Sequence, residues 1–352
     1  MQGIFNKTLI IRFSSVGDIV LSTPLIRALR RRFPQSQIDY LVRSEYAELL
    51  RGNPHLSMVY TFPAGGTTDD IDRIRQKILT TGYDLIVDIH GSLRSRILCR
   101  GMQNVVRINK RVVPRFVLIH FKKDFYRLFG GAPGVADRYL ETVSPYGVTD
   151  DGEGLEVFPG DEEERRTNEL FRAQGMQHGT PLIGLCPSAR HFTKMWPEAL
   201  FAETAAALSR RHNVAVVLFG SASEATRSQE IALQIRVHFP GAEILDFTGK
   251  LSFLETASMM DRCRLILSND SGLMHLAAAR KRKIVAIFGS TVRQFGFLPP
   301  AERSIVLEHY GLECRPCTHI GRAECPRGHF RCMREIPASR AIDAASALLQ
   351  VK

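Results

Sequence analysis

Short apolar runs alternate with stretches of helical period along this 352-residue chain. Thr8-Leu9-Ile10-Ile11-Arg12-Phe13 is rich in β-branched and apolar residues and ends at Ser14-Ser15-Val16-Gly17-Asp18. Ile19, Leu21, Leu25, Ile26 and Leu29 then recur at helical spacing until Pro34, so the pattern predicts a strand followed by one helix. Residues 38–42 and 84–89 read as further strands, the second ending at His90-Gly91-Ser92 before a basic helix. From 145 to 164 the pattern lapses, and Gly147, Asp150, Asp151, Gly152, Gly154, Pro159 and Gly160 mark a crossing between domains. A second series follows, with strands at 182–185, 214–219, 265–267 and 284–288 and helices near 197–210, 224–235, 253–261 and 271–279. Strands alternating with helices of these lengths predict parallel βαβ units. The economical architecture is α/β, with two Rossmann-like domains facing an interdomain cleft: 1–160, then 161–336, with a closing helical segment at 337–352 free to cross back to the first domain. Ligands are expected outside the carboxyl ends of the strands.

Composition narrows the class. A hydrophobic fraction of 44% and a charged fraction of 24% suit a globular protein. No apolar run approaches the roughly 18–20 residues of a membrane helix, and the N-terminus lacks a secretory pattern, so a cytoplasmic location is expected. The formal charge of +11 fits an anionic substrate or membrane face. Without a zinc finger, an aromatic RNA-binding signature or a basic low-complexity tail, nucleic acid is not expected as a partner. Cys99, Cys186 and Cys263 are scattered, whereas Cys314, Cys317, Cys325 and Cys332 cluster. In a cytoplasmic protein such a cluster suggests metal or thiol chemistry, packing or an adventitious disulfide.

Three strand-to-helix turns carry the candidate chemistry. Asp18 follows the first strand and reads two ways, as a helix cap or as a general base for an attacking hydroxyl. Lys194, in Ser188-Ala189-Arg190-His191-Phe192-Thr193-Lys194-Met195-Trp196-Pro197, is either a surface lysine or a cation for a departing phosphate. In Ser268-Asn269-Asp270-Ser271-Gly272-Leu273-Met274-His275 small residues bare the first amides of a helix, an anion site. Asp270 beside a diphosphate would repel it, so it is expected to orient the turn or meet sugar hydroxyls. Glu224 is a first-turn acid or a ribose ligand, and His275 a packing residue or a support for the site. A missing Walker lysine and a missing G-x-G-x-x-G count against a P-loop enzyme and a nicotinamide oxidoreductase.

Taken in order, Ser14-Ser15-Val16-Gly17-Asp18, Tyr83 to Asp88 with His90-Gly91-Ser92-Leu93-Arg94-Ser95, Lys194-Met195-Trp196-Pro197 and Asn269 to His275 resemble signature blocks of the bacterial lipopolysaccharide heptosyltransferases, glycosyltransferase family 9. The resemblance implies a GT-B fold and inverting transfer of heptose from ADP-L-glycero-D-manno-heptose to the lipopolysaccharide inner core. It implies Asp18 as base, Lys194 with Ser271 and Gly272 on the leaving ADP, and no cofactor or divalent metal. Ser188, Glu224, Leu251, Asp270 and His275 fall to the donor, and Ser15 and Arg94 to a lipid A–Kdo acceptor, with peripheral contact at the inner membrane. Cys186-Pro187-Ser188-Ala189-Arg190 departs from the usual Asn-Pro-Gly-Ala. The terminal cysteines are similar to a block of type II-like members, and their C-x-x-C spacing would suit zinc. A relative moving another nucleotide-activated sugar, and a noncatalytic nucleotide-binding protein of the same fold, are the competing readings.

Overall fold

Strands that are apolar on both faces must lie between two layers of helices, which favours parallel sheets. Every strand pairing among the described residues is parallel. The structure is a computed structural model and describes residues 5–176 and 179–350. Its elements begin β1 (Lys7–Ile11), α1 (Val16–Val20), α2 (Thr23–Arg32), β2 (Gln37–Arg43), β3 (Met58–Phe62), α3 (Thr68–Thr81), β4 (Leu85–Asp88), α4 (Leu93–Leu98), β5 (Val105–Arg107), α5 (Val112–Phe121) and α6 (Val135–Glu141). They continue with α7 (Asp161–Ala173), β6 (Leu182–Cys186), α8 (Glu198–His212), β7 (Ala215–Leu218), α9 (Ala225–His238), β8 (Ile244–Asp246), α10 (Phe253–Met260), β9 (Cys263–Asn269), α11 (Gly272–Ala279), β10 (Lys283–Phe288), β11 (Ser304–Glu308), α12 (Arg331–Arg334) and α13 (Ala338–Gln350).

The chain divides into two units, Met1–Val112 with Pro133–Phe158, and Val113–Ala132 with Pro159–Lys352. Residues 113–132, which the pattern assigned to the first domain, therefore belong with the second. Leu118 and Tyr126 explain this: they form an apolar cluster with Phe295 of the second unit. The closing helix α13 packs on α8 and on β9, β10 and β11 of that same unit.

The first sheet runs β3-β2-β1-β4-β5 and the second β11-β10-β9-β6-β7-β8. Both follow the doubly wound order, in which strand order reverses at a central pair. That pair is β1 with β4 in the first unit and β6 with β9 in the second. The turns leaving these strands carry Asp18, His90, Ser188 and Asp270.

Local chemistry shapes the first unit. The helix expected to run unbroken from Ile19 to Leu29 is two helices, α1 and α2. Pro24 has no N–H to continue the ladder, and the Ser22 and Thr23 hydroxyls donate to the carbonyls of Ile19 and Val20 at 2.7 and 2.8 Å. Arg27 of α2 is buried. Its guanidinium donates to both Asp151 oxygens, to Glu156 and to the Gly154 carbonyl at 2.6–3.0 Å. The Gly- and Asp-rich crossing is thus bound back onto α2. In the second unit Gly184 lets β6 approach its neighbours, because a Cβ there would lie 2.5 Å from Ile266 Cδ1 and 2.7 Å from Phe219.

Candidate functional site

Asp18 occupies the third position of α1, with Ser15 as its N-cap. Its Oδ2 accepts from the Ser15 N–H at 3.3 Å, from the Ser15 hydroxyl at 3.1 Å and from Arg12 Nη2 at 2.7 Å. Arg12 is itself fixed, donating to the carbonyls of Ser14 and Ile89 at 2.7 and 2.9 Å. Burial alone would push the Asp18 carboxyl up. Arg12 and the Ser15 hydrogen bonds outweigh it and hold the carboxyl below its usual range. Among the described residues the Tyr139 hydroxyl alone is hydrogen-bonded to Oδ1, at 3.4 Å. The carboxylate caps α1 through the Ser15 N–H and stays ionised.

The turn after β4 lies beside it. Asp88 accepts from the His90 and Gly91 N–H groups at 3.1 and 2.8 Å and from the Ser95 hydroxyl at 2.9 Å. The His90 ring sits edge-on to Phe13 at 5.0 Å. Burial, with Arg12 and Lys110 nearby, pushes its pKa down to about 3, so the imidazole is neutral. Arg94 is exposed on α4, its guanidinium 5.1 Å from the Phe62 ring, which packs on Phe13 at 5.4 Å. Asp18, Ser15, His90 and Arg94 thus share the carboxyl edge of one sheet.

The second unit gathers the remaining residues. Lys194 Nζ meets Asp270 Oδ2 at 2.7 Å, with side-chain exposures of 14% and 3%, and the same oxygen accepts from the Thr291 hydroxyl at 2.7 Å. Thr193 staples this loop down: its hydroxyl accepts from Ser290 Oγ at 3.0 Å and from the Arg322 N–H at 2.9 Å. Asn269 closes the frame from the other side. Its Oδ1 accepts from the Trp196 N–H at 3.0 Å, and its Nδ2 donates to the Pro187 carbonyl at 2.7 Å. The loop after β6 and the turn after β9 are therefore one construction.

An anion has two kinds of positive partner here. Ser271 is the N-cap of α11 and its side chain makes no capping bond. Ser271, Gly272 and Leu273 are partly open to solvent, and the first amides of a helix lack intrahelical acceptors. Lys194 adds an ammonium, held by Asp270. The Ser188 hydroxyl, from the β6 loop, is buried without a hydrogen-bond partner among the described residues.

Glu224 and Leu251 occupy loops of the same unit, and His275 lies on α11. Glu224 caps its own turn, its Oε2 accepting from the Ser221 N–H at 2.7 Å. Leu251 is half-buried in the loop after β8, where the Gly249 N–H donates to the Gly220 carbonyl at 2.8 Å. His275 is buried on α11, its ring 6.2 Å from Phe297. The four clustered cysteines are free thiols. Cys314 Sγ lies 3.8 Å from His329 Nε2, and the Cys317 thiol donates to the Cys314 carbonyl at 3.3 Å. Burial pushes the Cys317 thiol up and Cys332 to about 12. Among the described residues no group of three or more His, Cys, Asp or Glu side chains is arranged to hold a metal ion.

The family model described as glycosyltransferase family 9 (heptosyltransferase) matches residues 71–326. The chain belongs to glycosyltransferase family 9. It is 27% identical over 97% of its length to lipooligosaccharide heptosyltransferase 2 of Haemophilus ducreyi, covering 99% of that protein. The family 9 glycosyltransferase of Veillonella parvula superposes with a TM-score of 0.82 at 23% identity, covering 99% of this chain and 98% of that one. Escherichia coli ADP-heptose lipopolysaccharide heptosyltransferase II gives 0.70 at 23% identity, over 97% and 98%. The fold is therefore GT-B and the protein is a glycosyltransferase of the heptosyltransferase family.

The fold brings further residues to these carboxylates that no local pattern marks. Arg12, Tyr139 and Thr291 each touch a candidate carboxylate but stand outside any motif. Asn269 was visible only as a neighbour of Asp270. His90 lies in the His90-Gly91-Ser92 turn, whose spacing assigns it no role.

Proposed function

We propose that this enzyme transfers heptose from an ADP-heptose to the inner core of lipopolysaccharide with inversion at the anomeric carbon. The second unit holds the donor. Lys194 and the open amides at Ser271 and Gly272 receive the diphosphate, Ser188 donates to it, Glu224 and Leu251 take the ribose and adenine, and Asp270 with His275 keeps Lys194 and the turn in place. The first unit holds the acceptor, with Arg94 and Ser15 toward acidic Kdo sugars or core phosphates.

In the reaction the acceptor hydroxyl oxygen forms a bond to the anomeric carbon as the carbon–oxygen bond to the β-phosphate breaks. The hydroxyl proton passes to Asp18, and the charge left on ADP falls to Lys194 and the helix amides. A carboxylate of depressed basicity suffices because the hydroxyl becomes strongly acidic only as the new bond forms. Lowered pKa keeps Asp18 ionised and ready. The lipid-borne acceptor puts this chemistry at the cytoplasmic face of the inner membrane.

The observation that carries the reading is the anion niche where β6 and β9 meet: a lysine fixed by a buried carboxylate, an uncapped helix start and an orphaned buried hydroxyl. Incubation with a panel of nucleotide sugars and heptose-free core, read by mass spectrometry, tests it. Heptose addition from ADP-heptose is expected; transfer only from a UDP- or GDP-sugar contradicts the donor assignment.

A further inference from the structure

We propose that the outer face of α5, with the loop following it to Phe129, is the surface by which this protein docks on an anionic lipid bilayer. The proposal rests on the lipid-linked acceptor for its purpose, but the observations stand apart from the reaction. Residues 112–121 read Val-Val-Pro-Arg-Phe-Val-Leu-Ile-His-Phe, and one side of this helix is spent on packing: Pro114 is buried, and Leu118 joins Tyr126 and Phe295 in a cluster. At 100° per residue Val112, Val113, Phe116 and His120 turn to the opposite side. A helix apolar on both sides is ordinarily buried on both. Here Val112, Val113 and Phe116 are 56%, 58% and 53% exposed, and Phe121, at the end of the helix, is 63% exposed. Phe125, Leu128 and Phe129 extend the exposure at 41%, 78% and 41%. Single exposed apolar residues are commonplace; this density in one short segment marks a contact surface.

Charge selects the partner. Between 113 and 129 the chain carries Arg115, Lys122, Lys123 and Arg127 against Asp124 alone. Asp124 is occupied, accepting from the Tyr126 N–H and from Gln294 Nε2 at 3.0 Å each. Lys122 is occupied too, donating to the carbonyls of Ile119 and Pro316 at 2.7 and 2.6 Å. Lys123 and Arg127 are exposed cations in the same segment as Phe121, Phe125 and Leu128, and Arg115 is half-buried. Aromatic and branched side chains sink to the headgroup boundary, while long basic ones reach back to lipid phosphates. A second copy fits poorly, because a two-fold contact would bring these cations against their own images. The helix lies in the interface and does not cross it: among the described residues no helix is long and apolar enough to span a membrane.

The test is cosedimentation of the purified full-length protein with phosphatidylcholine vesicles, with and without phosphatidylglycerol. Wild type should pellet with the phosphatidylglycerol vesicles. Phe116→Ser with Leu128→Ser should weaken that binding at least about tenfold, Phe116→Leu should retain it, and Lys123→Gln with Arg127→Gln should remove the preference for anionic lipid. Heptosyl transfer to a deacylated, water-soluble core saccharide should be unchanged in all of them. Wild type that ignores both vesicles, or serine variants that bind as well as wild type, would overturn the proposal. So would a concentration-dependent dimer that the serine variants abolish, without vesicle binding. Vesicle binding without transfer to the soluble saccharide would strike the proposed reaction and leave this surface standing.

Discussion

Replacing Asp270 by Asn separates a residue that holds Lys194 from one that touches the donor. Asn keeps the size of the side chain and can still accept from the Thr291 hydroxyl, but it no longer carries the charge opposite Lys194 Nζ at 2.7 Å. Breaking a buried pair by removing one partner costs about 3–5 kcal/mol. Lys194 keeps 14% of its side-chain surface and the Thr291 bond survives, so about 2–3 kcal/mol is the reasonable loss in the ligand-free protein. At about 2–4 °C per kcal/mol for domains of this size, Tm should fall by roughly 4–12 °C. ADP should reverse much of that loss. A diphosphate bound at Lys194 supplies the negative charge that Asp270 no longer does, so the ammonium gains more from ligand in the variant than in wild type. Thermal shift against ADP concentration should therefore show a larger ADP-induced rise in Tm for Asp270→Asn, with affinity equal to or tighter than wild type. An unchanged ligand-free Tm together with weakened ADP or sugar-nucleotide binding would refute the reasoning, and would make Asp270 a direct donor contact.

Three further outcomes follow from the same geometry. Arg12→Gln removes the charge that holds the Asp18 carboxyl low, so burial then dominates and its pKa rises. The wild-type Asp18 contribution to stability is present above the unfolded value of about 3.9 and is lost as pH falls through the lower folded value. In the variant, acid instead relieves a buried charge, and the acidic limb of the kcat/KM profile should move to higher pH; coincident profiles would count against the pairing. Lys194→Ala should weaken ADP by about 10–100-fold in calorimetry and slow transfer, the loss of a charge-assisted bond, and an unchanged rate would assign the leaving phosphate to another group. Gly249→Ala should cost about 2 kcal/mol, read as a drop in Tm. A Cβ at this φ of +72° would lie 2.6 Å from Ala222 Cα, so an unaltered Tm would mean that the loop yields freely.

The central strands were legible because burial on both faces writes continuous apolar runs, as in β1, β6, β9 and β10. The edges were not. β3 begins at an exposed Met58 and β5 spans only Val105–Arg107, so neither has the period or length that separates a strand from a loop. The break at Ser22 was written in Pro24 and overridden by the apolar spacing around it. Arg27 could not be placed from its neighbours, since its carboxylate partners lie 124 and 129 residues away. Long-range closure also decides residues 113–132, whose attachment depends on Phe295. At the site, motif position pointed to Asp18, Lys194 and Asp270, but no local spacing gives Arg12 to one carboxylate and Thr291 to another. The link between Asp270 and Lys194 spans two loops and needed the fold.

The account turns on Asp18 as the group that takes the acceptor proton. Asp18→Asn, assayed with ADP-heptose and heptose-free core, measures that directly. Transfer should fall by about 10²–10⁴-fold, while ADP binding stays within a few-fold of wild type. Turnover near the wild-type rate in a correctly folded variant would contradict it.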